Sequence, residues 1–187
     1  YGDHRDLHVR SRRQRQMCIR DRYLISSGHK KISYIAGWEG ASTQRDRETG
    51  FMSILNEAGI NLHSRRVGNF VLKESREATR SMFSDKPPDA VFVANDHMAL
   101  AVMDTLRYEL RLKIPDDVSI VGYDDVPAAS WPSYLLTTVQ QPVNIMVRET
   151  VEILIEKIDN AQARPQKIKI DGPLILRNST KTQKGYK

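Results

Sequence analysis

Two apolar runs in this sequence end on side chains that can hold a polar molecule. The run Ala90-Val91-Phe92-Val93-Ala94 reads as a buried strand and stops on Asn95-Asp96, just before a helical pattern. The run at 118–121 stops on Gly122-Tyr123-Asp124-Asp125. An amide donates and accepts hydrogen bonds, and an ionised carboxylate accepts them from hydroxyls or amines. Arg47 adds a planar fork of donors, and Phe70 in "VGNFVL" adds an apolar ring face.

Each residue also has a plainer reading. Asn95 or Asp96 caps the next helix, and both roles fit together if Asp96 caps while Asn95 faces a ligand. Asp124-Asp125 forms an Asx-type turn, and no further oxygen ligands nearby in sequence complete a metal site. Arg47 is a solvated residue on the first turns of a helix, and Phe70 is a core aromatic. His63 and His97 fit no metal or dyad spacing. A nucleophile elbow, a phosphate-gripping glycine loop and a His-Glu-x-x-His pair are all absent from the sequence. Asp124 and Asp125, adjacent in an extended segment, point apart rather than share a proton. The reading is a binding module, not an enzyme, and it implies no metal and no cofactor.

The elements that position these groups alternate. Residues 23–27 read as the last turn of a helix ended by Gly28. A short strand at 32–36 follows. Then comes a helix whose inner face carries Arg47, Phe51, Ile54, Leu55 and Ala58, stopped by Gly59. A weak strand near Arg66 and Val67 precedes a helix at 75–83, with Ala78, Met82 and Phe83 inward. Pro87-Pro88 breaks the chain before the strand at 90–94. The helix at 96–110 buries Met98, Ala101, Val102 and Leu106, and Pro115 precedes the strand at 118–121. Strands alternating with helices argue for an α/β fold, a parallel sheet with helices on both faces. Ligands of such sheets bind beyond the carboxyl ends of the strands, which is where Asn95 and Asp124 fall.

Composition bounds the rest. The 187 residues are 40% hydrophobic and 28% charged, ordinary for a globular chain. No apolar run approaches a membrane span. The charged N-terminus does not read as a secretory leader, and Cys18 as the single cysteine excludes an intrachain disulfide. A cytoplasmic location is expected. The net charge of +6 belongs to the ends: residues 1–22 hold seven Arg against three Asp, and residues 181–187 add Lys181, Lys184 and Lys187. Residues 23–180 are left with 19 basic and 20 acidic groups, so the folded part offers no basic footprint for nucleic acid.

Five segments, "GHKKISYIAG", "RETGF", "DAVFVANDHMAL", "IPDDVSIVGYDD" and "LLTTVQQP", stand in order across residues 23–180. Together they resemble the effector-binding domain of the lactose- and galactose-repressor family of bacterial transcription regulators. The resemblance implies a periplasmic-binding-protein-like fold of two similar α/β subdomains hinged around a ligand cleft. By it, Arg47 matches the arginine that bonds effector hydroxyls or a carboxylate, and Thr43 matches a second polar contact. Phe70 falls on the aromatic that stacks on the ligand, Asn95 and Asp124 on the amide and carboxylate at the strand ends. Gln141 falls at the crossover between subdomains. The implied partners are a small-molecule effector of the sugar class, operator DNA through an N-terminal helix-turn-helix, and a second copy of the chain. The positions matching the dimer interface are Leu100, Asp104, Ala128 and Trp131. Trp131 is an interface anchor or a lid over the core.

Residues 1–22 look like translated adaptor sequence and are set aside as a non-native or disordered leader. Residues 23–142 then form the second subdomain, 143–171 a helix and crossover of the first, 172–180 a returning strand and 181–187 a basic tail. On this division the DNA-reading head and nearly all of the first subdomain are missing. The helix "VNIMVRETVEILIEKI", with its stripe of Val143, Met146, Val147, Val151, Leu154, Ile155 and Ile158, is then expected to stand exposed. The strand at 168–176 returns to the second subdomain. The competing expectation is a periplasmic sugar-binding protein of a transport system, which fold alone does not separate from a regulator.

Overall fold

The computed structural model describes residues 23–160, 162, 168, 170 and 172–181. A helical turn, α1 (Tyr23–Ser26), leads into β1 (Ile32–Ala36) and α2 (Ser42–Glu57). β2 (Ser64–Val67), α3 (Leu72–Phe83), β3 (Ala90–Val93) and α4 (Asp96–Asp104) follow. α4 runs on as a wider π-helical turn over Thr105–Glu109, closed by Leu110 N donating to Thr105 O at 3.0 Å. Then come β4 (Ser119–Asp124), a 3-10 turn (Pro127–Ser130), β5 (Thr137–Gln140), α5 (Val143–Asp159) and β6 (Leu174–Ile175). Residues 1–22 and 182–187, the expected leader and most of the basic tail, lie outside the described residues, as does Cys18.

The six strands form one sheet in the order β2-β1-β3-β4-β5-β6. All neighbours are parallel except β5 and β6, which run antiparallel. Every residue of β1 and β3 is buried, the mark of strands covered on both faces. The rings of Tyr34, Phe51 and Phe92 stack with centroids 4.9 to 5.8 Å apart and lock α2 onto β1 and β3. Burial pushes the Tyr34 hydroxyl up to about 12. Met98, Val102, Met103 and Leu106 of α4 and its extension fill the core with no exposed surface.

Two expectations need correction, and one strand was not foreseen. Ala58 does not share the buried face of α2; it is the exposed C-terminal cap, where the helix is already turning away. The return strand is shorter than 168–176: it covers Leu174 and Ile175, with Pro173 O accepting from Gln140 N at 2.9 Å just before it. Thr137–Gln140 forms a full parallel strand that apolar patterning does not announce. Gly28 does end α1 in the left-handed region, at φ 84°.

α5 buries none of its residues. Val143, Met146, Val147, Val151, Leu154 and Ile155 are all exposed, and Ile158 is 80% exposed. The apolar stripe expected to stand open does so.

Candidate functional site

Parallel pairing puts the residues that follow β1 to β5 on one edge of the sheet. Read across that edge, β2 leads to Phe70, β1 to Gly37, β3 to Asn95, β4 ends on Asp124 and β5 leads to Gln141. The helix after β1 starts at the same edge and carries Arg47 there. The topology alone therefore gathers residues far apart in sequence.

Arg47 is the bridge. Its Nη1 donates to Ala94 O at the end of β3 at 2.7 Å, and its Nη2 donates to Asp124 Oδ1 at 3.0 Å. Its guanidinium carbon lies 4.1 Å from the centroid of the Tyr123 ring, a cation–π seat that fixes the plane of the fork. Gln141 Nε2 also donates to Asp124 Oδ1, and Gln141 N reaches Asp124 O at 3.3 Å. Both donors converge on one carboxylate oxygen. Among the described residues Asp124 Oδ2 carries no hydrogen bond. With side chains 15% and 21% exposed, Arg47 and Asp124 stay partly wet, so a ligand can reach them.

The Asn95-Asp96 pair is divided the other way from the first expectation. Asn95 caps α4, its Oδ1 accepting from Met98 N at 3.0 Å, while its Nδ2 donors remain uncommitted among the described residues. Asp96 is 0% exposed and braces the strand ends instead. Its Oδ1 accepts from Thr138 Oγ1 at 2.6 Å and its Oδ2 from Val126 N at 3.0 Å. Gly122 is what lets it in, because a Cβ there would overlap Asp96 Oδ1. Burial raises the Asp96 carboxyl above its ordinary value, against the lowering pull of the Thr138 and Val126 hydrogen bonds. This carboxylate holds the turn Asp124-Asp125, both at positive φ (124° and 58°), against β3 and β5.

Asp125 points away from Asp124. It accepts from Arg177 Nη2 and from Gln140 Nε2, both at 2.7 Å, and so ties the turn to the returning segment. Phe70 sits at φ 61° after Asn69 at φ 52°. Its half-buried ring lies over Gly37, where a Cβ would overlap it. Phe70 therefore stands at the mouth, over the end of β1, and not inside the core. Thr43 is exposed on the first turn of α2 and makes none of the hydrogen bonds that gather Arg47, Asp124 and Gln141.

The residues matching a dimer interface lie elsewhere, on α4 and the 3-10 turn. Leu100, Asp104 and Ala128 are half-buried, and Asp104 Oδ2 accepts from Tyr134 OH at 3.3 Å. Trp131 is 57% exposed, so it is no lid over the core. It lines a cleft of about 540 Å³ with Asp104, Tyr108 and Tyr134.

Sequence reasoning missed Tyr123, Asp96's bracing role and the Asp125–Arg177 pair. The only signal for the last was its result, an aspartate and an arginine 52 positions apart with no pattern linking them. No group of three or more metal-ligating side chains occurs among the described residues, and no helix there is long and apolar enough to cross a membrane.

The strand ends of this mostly parallel sheet thus converge on a polar, aromatic-rimmed edge. The chain belongs to the periplasmic binding protein-like domain family, whose model matches residues 22–180. Its relatives include the HTH-type transcriptional repressor PurR of Photobacterium profundum, 31% identical over 166 residues, 87% of this chain and 49% of that protein. The ribose operon repressor of Escherichia coli is 32% identical over 84% of this chain and 48% of its own length. Among solved structures, a transcriptional regulator CelR–cellobiose complex superposes with a TM-score of 0.79 at 30% identity, over 88% of this chain and 52% of that one. The Lac repressor bound to ONPG in its repressed state gives 0.80 at 28%, over 88% and 50%. The resemblance read from the sequence holds, and the chain spans about half the length of the curated relatives it matches.

Proposed function

We propose that this chain is the effector-sensing part of a bacterial DNA-binding transcription regulator and takes a small molecule, of the sugar class, on the Arg47–Asp124 edge. The single observation that carries the reading is the convergence of Arg47 and Gln141 on one oxygen of Asp124, with the other oxygen and the Asn95 amide left for hydroxyls. Phe70 over Gly37 supplies the ring that a sugar's C–H face packs on. The relatives are named as repressors, which favours the regulator over the transport receptor, and favours a sensor over a catalyst. Cellobiose in the CelR complex is a sugar bound by a protein of this shape.

In this reading a first subdomain supplies the other wall and covers the apolar stripe of α5. DNA is read by a helix-turn-helix outside these residues, and the cytoplasm is the place of action. Two copies pair through Leu100, Asp104, Ala128 and Trp131. Ligand touching both walls favours the closed arrangement and so changes the spacing of the DNA-binding heads. Driving a 1:99 mixture to 99:1 takes about 5.5 kcal/mol of differential binding.

The test is Asp124→Ala in the intact regulator. Operator binding should be unchanged, and its response to the effector should be lost. An unchanged response removes Asp124 from the site and the reading with it.

A further inference from the structure

Trp38 is a large aromatic at the ligand edge that the site described above does not use. It is 60% exposed and sits one residue past Gly37, the glycine that carries the Phe70 ring. Among the described residues its indole N–H makes no hydrogen bond, and its ring joins no stacked pair. Exposing an indole costs burial free energy with nothing visible in return.

The loop that carries it is nonetheless held firmly. Ala41 N donates to Trp38 O at 3.0 Å. Arg45 Nη1 grips Glu39 O at 3.2 Å and Gly40 O at 3.0 Å. Gln44, buried, accepts from Gly37 N at 2.7 Å. Gly40 has no Cβ because the Trp38 ring occupies that space. Two neighbouring glycines thus seat two aromatic rings at the end of β1: Gly37 seats Phe70, and Gly40 seats Trp38. A fixed, solvent-facing indole is preorganised for stacking, since little rotamer freedom is lost when a ligand covers it.

We propose that Trp38 is a specificity-determining residue that stacks on a second ring of the effector, beyond the ring packed on Phe70. The site then selects two-ring ligands, such as a disaccharide or a base joined to a sugar, over their one-ring parts. A pyranose face or a planar base suits an indole equally, and an indole N–H is a donor that a hydroxyl can accept from. This rests on the effector-edge reading given above.

The chain as it stands allows the test, because Trp38 and Trp131 are its two tryptophans and their indole N–H signals are assigned by Trp131→Phe. The 15N-labelled chain is titrated with matched pairs: glucose and cellobiose, galactose and lactose, ribose and adenosine. The expected result is that at least one two-ring member binds several-fold more tightly than its one-ring partner. It should shift the Trp38 indole together with the Arg47 Nε–H and Asn95 side-chain signals. Trp38→Ala should collapse the two-ring to one-ring affinity ratio about 5–10-fold, as expected for one lost stack, and Trp38→Phe should restore part of it. A two-ring ligand that moves the Arg47 and Asn95 signals but not Trp38 overturns this proposal alone, as does a Trp38→Ala ratio equal to that of the parent. If no probe moves the Arg47 or Asn95 signals, the effector-edge reading falls and Trp38's role goes with it.

Discussion

Replacing Thr138 by valine tests the strut under the site. Thr138 and Asp96 both have 0% exposure, and the Thr138 hydroxyl lies 2.6 Å from Asp96 Oδ1. Valine keeps the shape and deletes the donor. Asp96 Oδ1 is then left against Gly122, in a place too tight for a Cβ, so no replacement donor enters without rearrangement. Losing a buried hydrogen bond to a charged group costs about 1.5–3 kcal/mol. At about 2–4 °C per kcal/mol for a domain of this size, the melting temperature falls by about 3–12 °C.

The pH dependence gives the sharper check. Burial already raises the Asp96 carboxyl, and the Thr138 hydrogen bond opposes that rise. A carboxyl whose folded pKa exceeds its unfolded value of about 3.9 contributes stability below that value and loses it as pH climbs through the folded pKa. Thr138→Val raises the folded pKa further, so its penalty is largest at pH 7 and shrinks at pH 4. Urea unfolding followed by circular dichroism at both pH values measures this. Thr105→Val serves as the control. It removes a neutral back-bond to Ala101 O of 2.9 Å in the same core and should cost under about 1 kcal/mol. If Thr138→Val is no worse than Thr105→Val at pH 7, or equally harmful at both pH values, Asp96 is not a charged strut.

Three other outcomes follow from the same contacts. Arg47→Lys cannot bridge Ala94 O and Asp124 while covering Tyr123, because an ammonium is a point donor; effector affinity measured by NMR titration should drop about tenfold while the fold survives. His29 is buried beside Asp89, with Nδ1 at 3.5 Å from Oδ1, and burial lowers its pKa below the ordinary 6.5. Its stabilising contribution is full above that value and lost as pH falls through the folded pKa, so its ring-proton NMR midpoint should lie below 6.5 and move lower still in Asp89→Asn. Val151→Glu with Ile155→Glu on α5 should reduce binding of an apolar dye and concentration-dependent self-association, while changing unfolding free energy by less than about 0.5 kcal/mol per site.

The parts of this fold that patterning reveals are those held by apolar burial. β1, β3 and β4 are legible because Ile32, Ile35, Val91, Val93 and Ile120 are strand formers inside a two-faced core. β5 is not, because the buried residues Thr137 and Thr138 are satisfied by side chains remote in sequence, Thr180 and Asp96. The site divides the same way. That Asn95 and Asp124 crown strands follows from where apolar runs stop. That Asn95 is the cap and Asp96 the strut does not, since either residue type caps a helix. The choice is made by the missing Cβ of Gly122, a feature of a different strand.

In the proposed regulator, this wall alone cannot make a switch. A ligand moves a conformational equilibrium only by the difference in its contacts between two states. Arg47, Asn95 and Asp124 stand at one edge of one sheet, joined by the Arg47 bridge and braced by Asp96 and Asp125, and their mutual geometry has no reason to change when a second wall swings. In the proposed site, contacts to them are therefore uniform: they hold the effector without favouring open or closed. In the proposed regulator the differential part must come from the opposite wall and from groups at the boundary. Gln141 is the boundary residue on this side, bonded to Asp124 through both backbone and side chain and followed at once by Pro142 and the exposed α5. In the proposed regulator, a ligand hydroxyl that takes over Asp124 Oδ1 releases the Gln141 amide, and with it one restraint on the segment leading to the other wall.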